Sequence, residues 1–592
     1  MTDGRELSRL ATMAGDRLIG RDRELARLAE QLDRAVAGEG GIVLLAGEAG
    51  VGKTRLSEEL AEAAAMPVLR GAASHDSTPA YGPVVAALRS LLRAAPGALD
   101  DCGPLGEHLR LLLPELGPAP AEVDTRTVRE AVRCALVTVA GERGALVLLD
   151  DLQWSDAATL ELLAEMAPTH AETQLLVVVA YRSDEVSRDH PLRRMRGELR
   201  RRLDLVEIAL EPLEEAGTAA LLERALGEAP SPPLVRAVHD RSQGLPFFVE
   251  ELASALSSEA QLHSGAAGLE LAEGSDVAVP ETVRDAVLLR CGDLGADGRA
   301  AAEAAAVAGE RFELEAVVEL AGEAGVGELI EVGLVHECGE GRGAFRHALV
   351  REALYGDVPW LRRRELHRAL GERLEARGAA AVEVAPHWLG AHDEERARRA
   401  LLRAASEFEA AHAYRDAAAT ARHALELWPA GEEVEERLVA LERHGAWAEL
   451  AGELADAARS WREVSTLCGG DDAAPELAAA QRRLGRICAL QGDRAGAIEA
   501  LSLAADSFAA SGDLGAAAAD RLAASDFLQF SGRHTASLEL SCRAGEEARA
   551  AARTDLRSRR WRPRAWSAPS AANSNAAWTW SRRRSRWRST TT

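Results

Sequence analysis

Residues 47–54 read Gly-Glu-Ala-Gly-Val-Gly-Lys-Thr, and Lys53 is the only lysine among the 70 lysines and arginines of this 592-residue chain. The spacing fits G-x-x-x-x-G-K-[ST]. In that pattern Gly47, Gly50 and Gly52 let the loop curl round a phosphate, while backbone N–H groups and the start of the next helix supply a positive field. Lys53 is placed to reach the β- and γ-phosphates, and Thr54 to ligate Mg²⁺. Arg55 follows directly and is counted with the phosphate-binding residues. A compact ammonium fits between phosphates where a planar guanidinium would not, which accounts for the one lysine in an arginine-rich chain. A chance glycine-rich turn around a single lysine has odds on the order of one in a thousand at average residue usage.

A second set of reactive side chains lies about a hundred residues on, in ALVLLDDLQWSD (145–156). Asp150 ends an apolar run and would complete the Mg²⁺ shell; Asp151 is placed to polarise an attacking water. By itself the pair would read as solvated carboxylates at a strand end, but the upstream loop changes that reading. Arg182, in AYRSDE, is a candidate sensor of the γ-phosphate, with a surface arginine as the competing reading.

The elements that must hold these residues follow from the pattern. Apolar runs at 41–47, 67–71, 145–151, 174–183 and 203–210 alternate with helical stretches. Continuous apolar strands between helices predict an α/β domain over 18–213, with a parallel sheet buried on both faces. Residues 214–275 read as a helical domain. Residues 276–358 close with GLVHECGEGRGAFRH (333–347), two short strands about a glycine-rich turn, and predict a winged-helix domain. From 359 to 552 the chain is an alanine-rich series of amphipathic helices, with Gly492, Gly512 and Gly532 twenty residues apart. That period predicts helical pairs that must stack to bury their faces. YRDAAATARHALELWP (414–429) is similar to a tetratricopeptide unit.

Composition limits the function classes. Hydrophobic content of 47% and charged content of 28% suit packed cores, and a formal charge of −24 argues against a chain-wide nucleic-acid surface. The seven scattered cysteines include no C-x-x-C pair, as expected for reduced thiols in a cytoplasm. The first residues, 1–17, lack an apolar signal core, and no run is long enough to span a bilayer, so a cytoplasmic protein without a membrane partner is expected.

Five ordered motifs, LIGRDREL (18–25), the phosphate loop, LLDDLQWSD (148–156), SQGLPFFVEEL (242–252) and FRHALVREALY (345–355), together resemble the STAND-type ATPase core of the large ATP-binding LuxR-family transcriptional regulators. The resemblance covers roughly residues 15 to 550. It implies that Gly20 and Arg21 lie by the adenine, that Pro246 contacts the base, and that His347 touches the β-phosphate of ADP. Taken singly, Pro246 would be a helix-start proline and His347 a structural strand-end histidine. The resemblance further implies that exchange of ADP for ATP, with slow hydrolysis as a reset, controls self-association. The repeats would receive a small-molecule or protein inducer.

The chain departs from that family at 553–592, where full-length members carry a DNA-binding helix-turn-helix. These residues hold eleven arginines against one aspartate, with five of the 11 tryptophans and Leu556 as the sole Leu, Ile, Val or Phe. Shifting the tryptophan codon TGG by one base ends a codon in TG, which encodes Leu, Val or Met. The tail therefore reads as a frameshifted or disordered segment, and DNA is a partner only if a missing C-terminal domain exists. The alternative function is a stand-alone signalling ATPase or scaffold acting through protein partners. No second catalytic constellation is present, which argues against a metabolic enzyme using ATP as co-substrate.

Overall fold

The computed structural model describes residues 18–560, apart from 76–77, 122–123, 171–172, 203–204, 259–261, 266–267, 272–281, 293, 340, 430–433 and 469–473. The chain forms two compact units that divide after Ala457.

The first unit opens with a five-stranded sheet: β1 (Gly41–Gly47), β2 (Val68–Ala72), β3 (Ala145–Asp150), β4 (Leu175–Arg182) and β5 (Val206–Leu210). Their order is β2-β3-β4-β1-β5 and every pairing is parallel, as the unbroken apolar runs predict. Helices α1 (Asp22–Val36), α2 (Lys53–Ala63), α3 (Gly82–Ala94), α4 (Thr125–Ala140), α5 (Ala157–His170) and α6 (Pro191–Arg202) connect and cover the strands. Alternate residues Val43 and Leu45, Leu146 and Leu148, and Leu176 and Val178 form one core with Leu28 of α1 and Leu56 and Leu60 of α2. Burying each such side chain stabilises the fold by about 1.5–3 kcal/mol. All eight residues of β4 are buried. Being central, β4 separates β1 from β3, and the register sets Gly47 opposite Arg182.

A mainly helical stretch follows: α7 (Glu215–Leu226), α8 (Pro232–Ser242), α9 (Pro246–Ser258), α10 (Val283–Gly292), α11 (Ala296–Ala308), α12 (Leu314–Ala321), α13 (Glu323–Glu331) and α14 (Ala348–Asp357). A small hairpin of β6 (Leu262–Gly265) and β7 (Gly268–Leu271) interrupts it. The sequence reading took that segment as helical; its runs of four residues are too short for periodicity to separate strand from helix. The hairpin expected within 333–347 is present as β9 (Val335–Glu337) and β10 (Arg342–Phe345), and β8 (Arg311–Glu313) pairs with β10 to make a three-stranded antiparallel sheet. Small side chains let α11 approach its neighbours closely, with Ala301, Ala302, Ala304, Ala305 and Ala306 all buried.

The remaining helices come in pairs. In the first unit these are α15 (Trp360–Ala376), α16 (Ala381–Gly390), α17 (Glu394–Ala410), α18 (Tyr414–Glu426) and α19 (Val434–Leu450), and the division between units falls within α20 (Leu454–Leu467). Ala417, Ala418, Ala421 and Ala424 of α18 are fully buried, as the small residues of the 414–429 segment predict.

The second unit contains α21 (Ala474–Leu490), α22 (Arg494–Ala510), α23 (Leu514–Phe530) and α24 (His534–Arg560). Its turns have one chemistry. Gly492, Gly512 and Gly532 take φ of 80°, 87° and 76°, a left-handed conformation that costs glycine little. The aspartates after two of them cap the next helix, Asp493 accepting from Gly496 N and Asp513 from Ala516 N. Arg521 is buried between α22 and α24, donating to Asp506 and to both oxygens of Glu547. Helix α24 runs through Arg560; of the 553–592 segment read as frameshifted or disordered, residues 561–592 lie outside the described residues. Among the described residues no helix is long and apolar enough to cross a membrane.

Candidate functional site

Strand β1 delivers the phosphate loop and α2 leaves it. Gly50 and Gly52 hold φ of 76° and 102°, which turns the loop back on the helix axis, and Gly52 caps α2 without a side chain. A Cβ on Gly50 would lie 2.9 Å from the Cβ of Phe247, so a second element presses on the loop. Lys53 is buried and its Nζ donates to Gly47 O at 2.9 Å and Glu48 O at 2.8 Å. Burial lowers its pKa, opposed chiefly by the charge of Asp150.

Residues 96 positions apart converge next to it. Thr54 Oγ1 donates to Asp150 Oδ2 at 2.6 Å. Burial raises the Asp150 pKa and the neighbouring charge of Asp151 adds to this, while the Thr54 hydrogen bond acts in the opposite sense. One hydroxyl and one carboxylate meet here, and among the described residues no three metal-ligating side chains cluster. That donor set suits Mg²⁺, which takes one or two protein ligands and completes its octahedron with phosphate and water oxygens.

Asp151 sits in the left-handed region, at φ 53° and ψ 39°, and opens a short 3₁₀ turn over Leu152–Trp154. For a non-glycine residue this costs on the order of 1 kcal/mol or more and persists only where neighbours fix it. Two neighbours do so. Gln153 Nε2 donates to Asp151 Oδ1 at 2.9 Å, and Arg182 Nε lies 3.4 Å from the same oxygen. Gln153 is buried, and its Oε1 accepts from Arg182 N at 2.9 Å, tying the end of β4 to the turn after β3. The Arg182 guanidinium also donates to Glu185 at 2.8 Å and Glu352 at 3.0 Å, and lies over the Trp154 ring at 4.5 Å. Burial disfavours its charge, but Asp151, Glu352 and Glu185 outweigh that and hold it firmly protonated.

The helical stretch closes the other side of the site. Phe247 N, at the start of α9, donates to Gly50 O at 3.2 Å, and its ring meets that of His347 with centroids 4.5 Å apart. Glu310, from the segment before β8, is pushed up to about 7 by burial and then by the Asp151 charge. Arg21 is buried, donating to Val51 O at 3.1 Å and Glu211 O at 2.6 Å. It braces the loop against the segment after β5.

A cavity of about 1310 Å³ joins these groups. Arg21, Gly50, Gly52, Lys53, Thr54, Arg55, Asp150, Asp151, Arg182, Pro246 and His347 all line it. Gly20 and Gly47 do not. Gly20 makes a left-handed turn at φ 70°, and a Cβ on Gly47 would meet Val51 at 2.8 Å. Sequence reasoning missed Gln153, Glu310 and Glu352. Gln153 stood inside a quoted motif; nothing local marked the two glutamates.

A contact from the repeats reaches the same turn. Asp416, in the first turn of α18, accepts from Ala157 N at 2.8 Å and Ala158 N at 3.1 Å, the free amides at the start of α5. Burial, and then the adjacent Asp156, raises its pKa. Arg415 bonds Glu161 of α5 at 2.9 Å.

Residues 17–179 match the AAA ATPase domain family. An uncharacterized protein of Rhizobium meliloti (strain 1021) is 26% identical over 466 residues, which are 70% of this chain and 43% of that protein. The chain thus spans less than half of that relative's length. Among solved structures, a signal transduction ATPase with numerous domains and a tetratricopeptide repeat sensor, from Pyrococcus horikoshii, is 13% identical with a TM-score of 0.40, covering 92% of this chain and 90% of its own. A RuvB variant of Thermotoga maritima is 16% identical with a TM-score of 0.26, covering 58% of this chain and 96% of its own.

Proposed function

We propose that this chain is an ATP-binding signalling switch whose repeat helices receive the input. The observation that carries this is the meeting at one cavity of a phosphate loop, the β3 acids and side chains of the helical stretch. A nucleotide bound there would touch both the sheet and the helices, and so would favour one arrangement of the two.

In this reading Lys53 and the loop amides bind the phosphates, Thr54 and Asp150 hold Mg²⁺, and Pro246 and His347 contact base and β-phosphate. Mg²⁺ would neutralise charge on the β- and γ-phosphate oxygens. Asp151 accepts a hydrogen bond from the attacking water, and Gln153 and Arg182 keep its carboxylate aimed. Hydrolysis is slow and resets the switch, and ATP promotes self-association. The five ordered motifs further support a role in a LuxR-family regulator. There, α10 to α14 with their sheet form the winged-helix-like unit, the repeats bind a small molecule or protein, and DNA is a partner only through a further C-terminal domain.

Thermal unfolding with saturating ATP·Mg²⁺ tests the reading. At about a hundredfold excess over Kd, nucleotide should stabilise the chain by roughly 2–3 kcal/mol. Lys53→Ala should abolish most of that shift, and a variant that keeps all of it would overturn the site.

A further inference from the structure

We propose that Glu352 competes with the γ-phosphate for the Arg182 guanidinium and thereby makes the site discriminate between ADP and ATP. The proposal rests on the nucleotide reading above.

Arg182 leaves β4 level with the start of the phosphate loop, since the register pairs it with Gly47. A guanidinium at that place is positioned to meet the outermost phosphate. Three carboxylates surround it instead: Asp151 at 3.4 Å, Glu185 at 2.8 Å and Glu352 at 3.0 Å. Asp151 and Glu185 belong to the same sheet domain as Arg182, one at the end of β3 and the other three residues past Arg182. Neither comes from the helical stretch. Glu352 comes from α14, and it shares Nη1 with Glu185. Its bond to Arg182 is therefore the one that depends on how α14 sits against the sheet.

A γ-phosphate offers oxygens that accept from arginine at least as well as a carboxylate does, and it brings negative charge toward Glu352. ATP thus draws Arg182 toward the phosphate and weakens the hold of α14, whereas ADP leaves the Arg182–Glu352 pair in place. Glu352 acts here as a positioning residue through Arg182 and need not touch the nucleotide. The plain alternative is a half-exposed ion pair of little consequence, its glutamate side chain 47% accessible.

Titration calorimetry on the full chain with Mg²⁺ separates the two, comparing ATP with ADP. Glu352→Gln keeps the shape and removes the charge. It should tighten ATP by about five- to tenfold and change ADP by less than about twofold, the size of effect expected for releasing one charge-assisted hydrogen bond. Glu352→Asp, which retains the charge, should restore most of the wild-type ratio. In an Arg182→Ala background Glu352→Gln should alter neither affinity, because the competition has no object. Equal shifts for both nucleotides, or a selective shift that survives in the Arg182→Ala background, would overturn the proposal. A wild-type chain that binds neither nucleotide would instead sink the nucleotide reading, and this proposal with it.

Discussion

The Asp151 carboxylate is held by two side chains that meet its Oδ1, Gln153 from the turn after β3 and Arg182 from β4. Its left-handed backbone is the local cost of turning that carboxylate into the cavity. Asp150, one residue earlier, is bound to Thr54 and has a different task. The two acids therefore separate by role as well as position. Asp151→Asn keeps the shape and the Gln153 contact but cannot take up a proton in the reaction. Phosphate release under single-turnover conditions should slow by about a hundredfold or more, with nucleotide affinity held within about threefold. Equal losses in both would assign Asp151 to binding rather than to hydrolysis.

Helix α5 is the element through which the repeats reach the site. It starts a few residues after Asp151 and is capped twice. Asp156 accepts from Thr159 N and Thr159 Oγ1, and Asp416 of α18 accepts from the preceding amides. An arrangement of α18 that withdraws Asp416 frees two amides at the root of the acid-bearing turn. Leaving buried amides unpaired costs about 1–3 kcal/mol. In Asp416→Ala, hydrogen exchange of the amides at 157 and 158 should therefore accelerate by about tenfold or more, while that of the β4 amides stays as in wild type. Unchanged exchange at 157 and 158 would show that Asp156 alone fixes the helix start.

At the scale of the whole molecule, the helical stretch brings a carboxyl, that of Glu310, toward the β3 acids. Glu310 faces Asp151 and Asp150, and its carboxyl titrates near 7 because burial and those neighbours disfavour its anion. The unfolded chain ionises this glutamate at ordinary carboxylate pH, so between about pH 4 and 7 the unfolded state releases a proton that the folded state retains. Folded stability is fully present below that window and declines as pH rises through it. Glu310→Gln removes the penalty. It should stabilise the chain by roughly 1–2 kcal/mol at pH 8 and leave it almost unchanged at pH 4.5, read from the thermal unfolding midpoint at each pH. A gain of equal size at both values would mean that packing, and not charge, accounts for the effect.

Much of this was legible in residue order because the signals are local. The phosphate loop, the strand-end acids, the buried strands and the glycine turns of the repeats each depend on neighbours within a few residues. Their alternation, spacing and backbone freedom fixed them in advance. The segment of β6 and β7 was not legible, since runs of four residues carry too little periodicity. What the tertiary structure decided is which distant groups share one place. Strand order put β4 between the loop strand and the acid strand, and so aimed Arg182 at Asp151. Packing brought Glu352 to Arg182 across 170 residues and Asp416 to Ala157 across 259. No local pattern records such contacts, because a carboxylate on a helix surface has the same sequence context whether it meets water or a guanidinium. Only the closing of the chain on itself removes the water and leaves the partner.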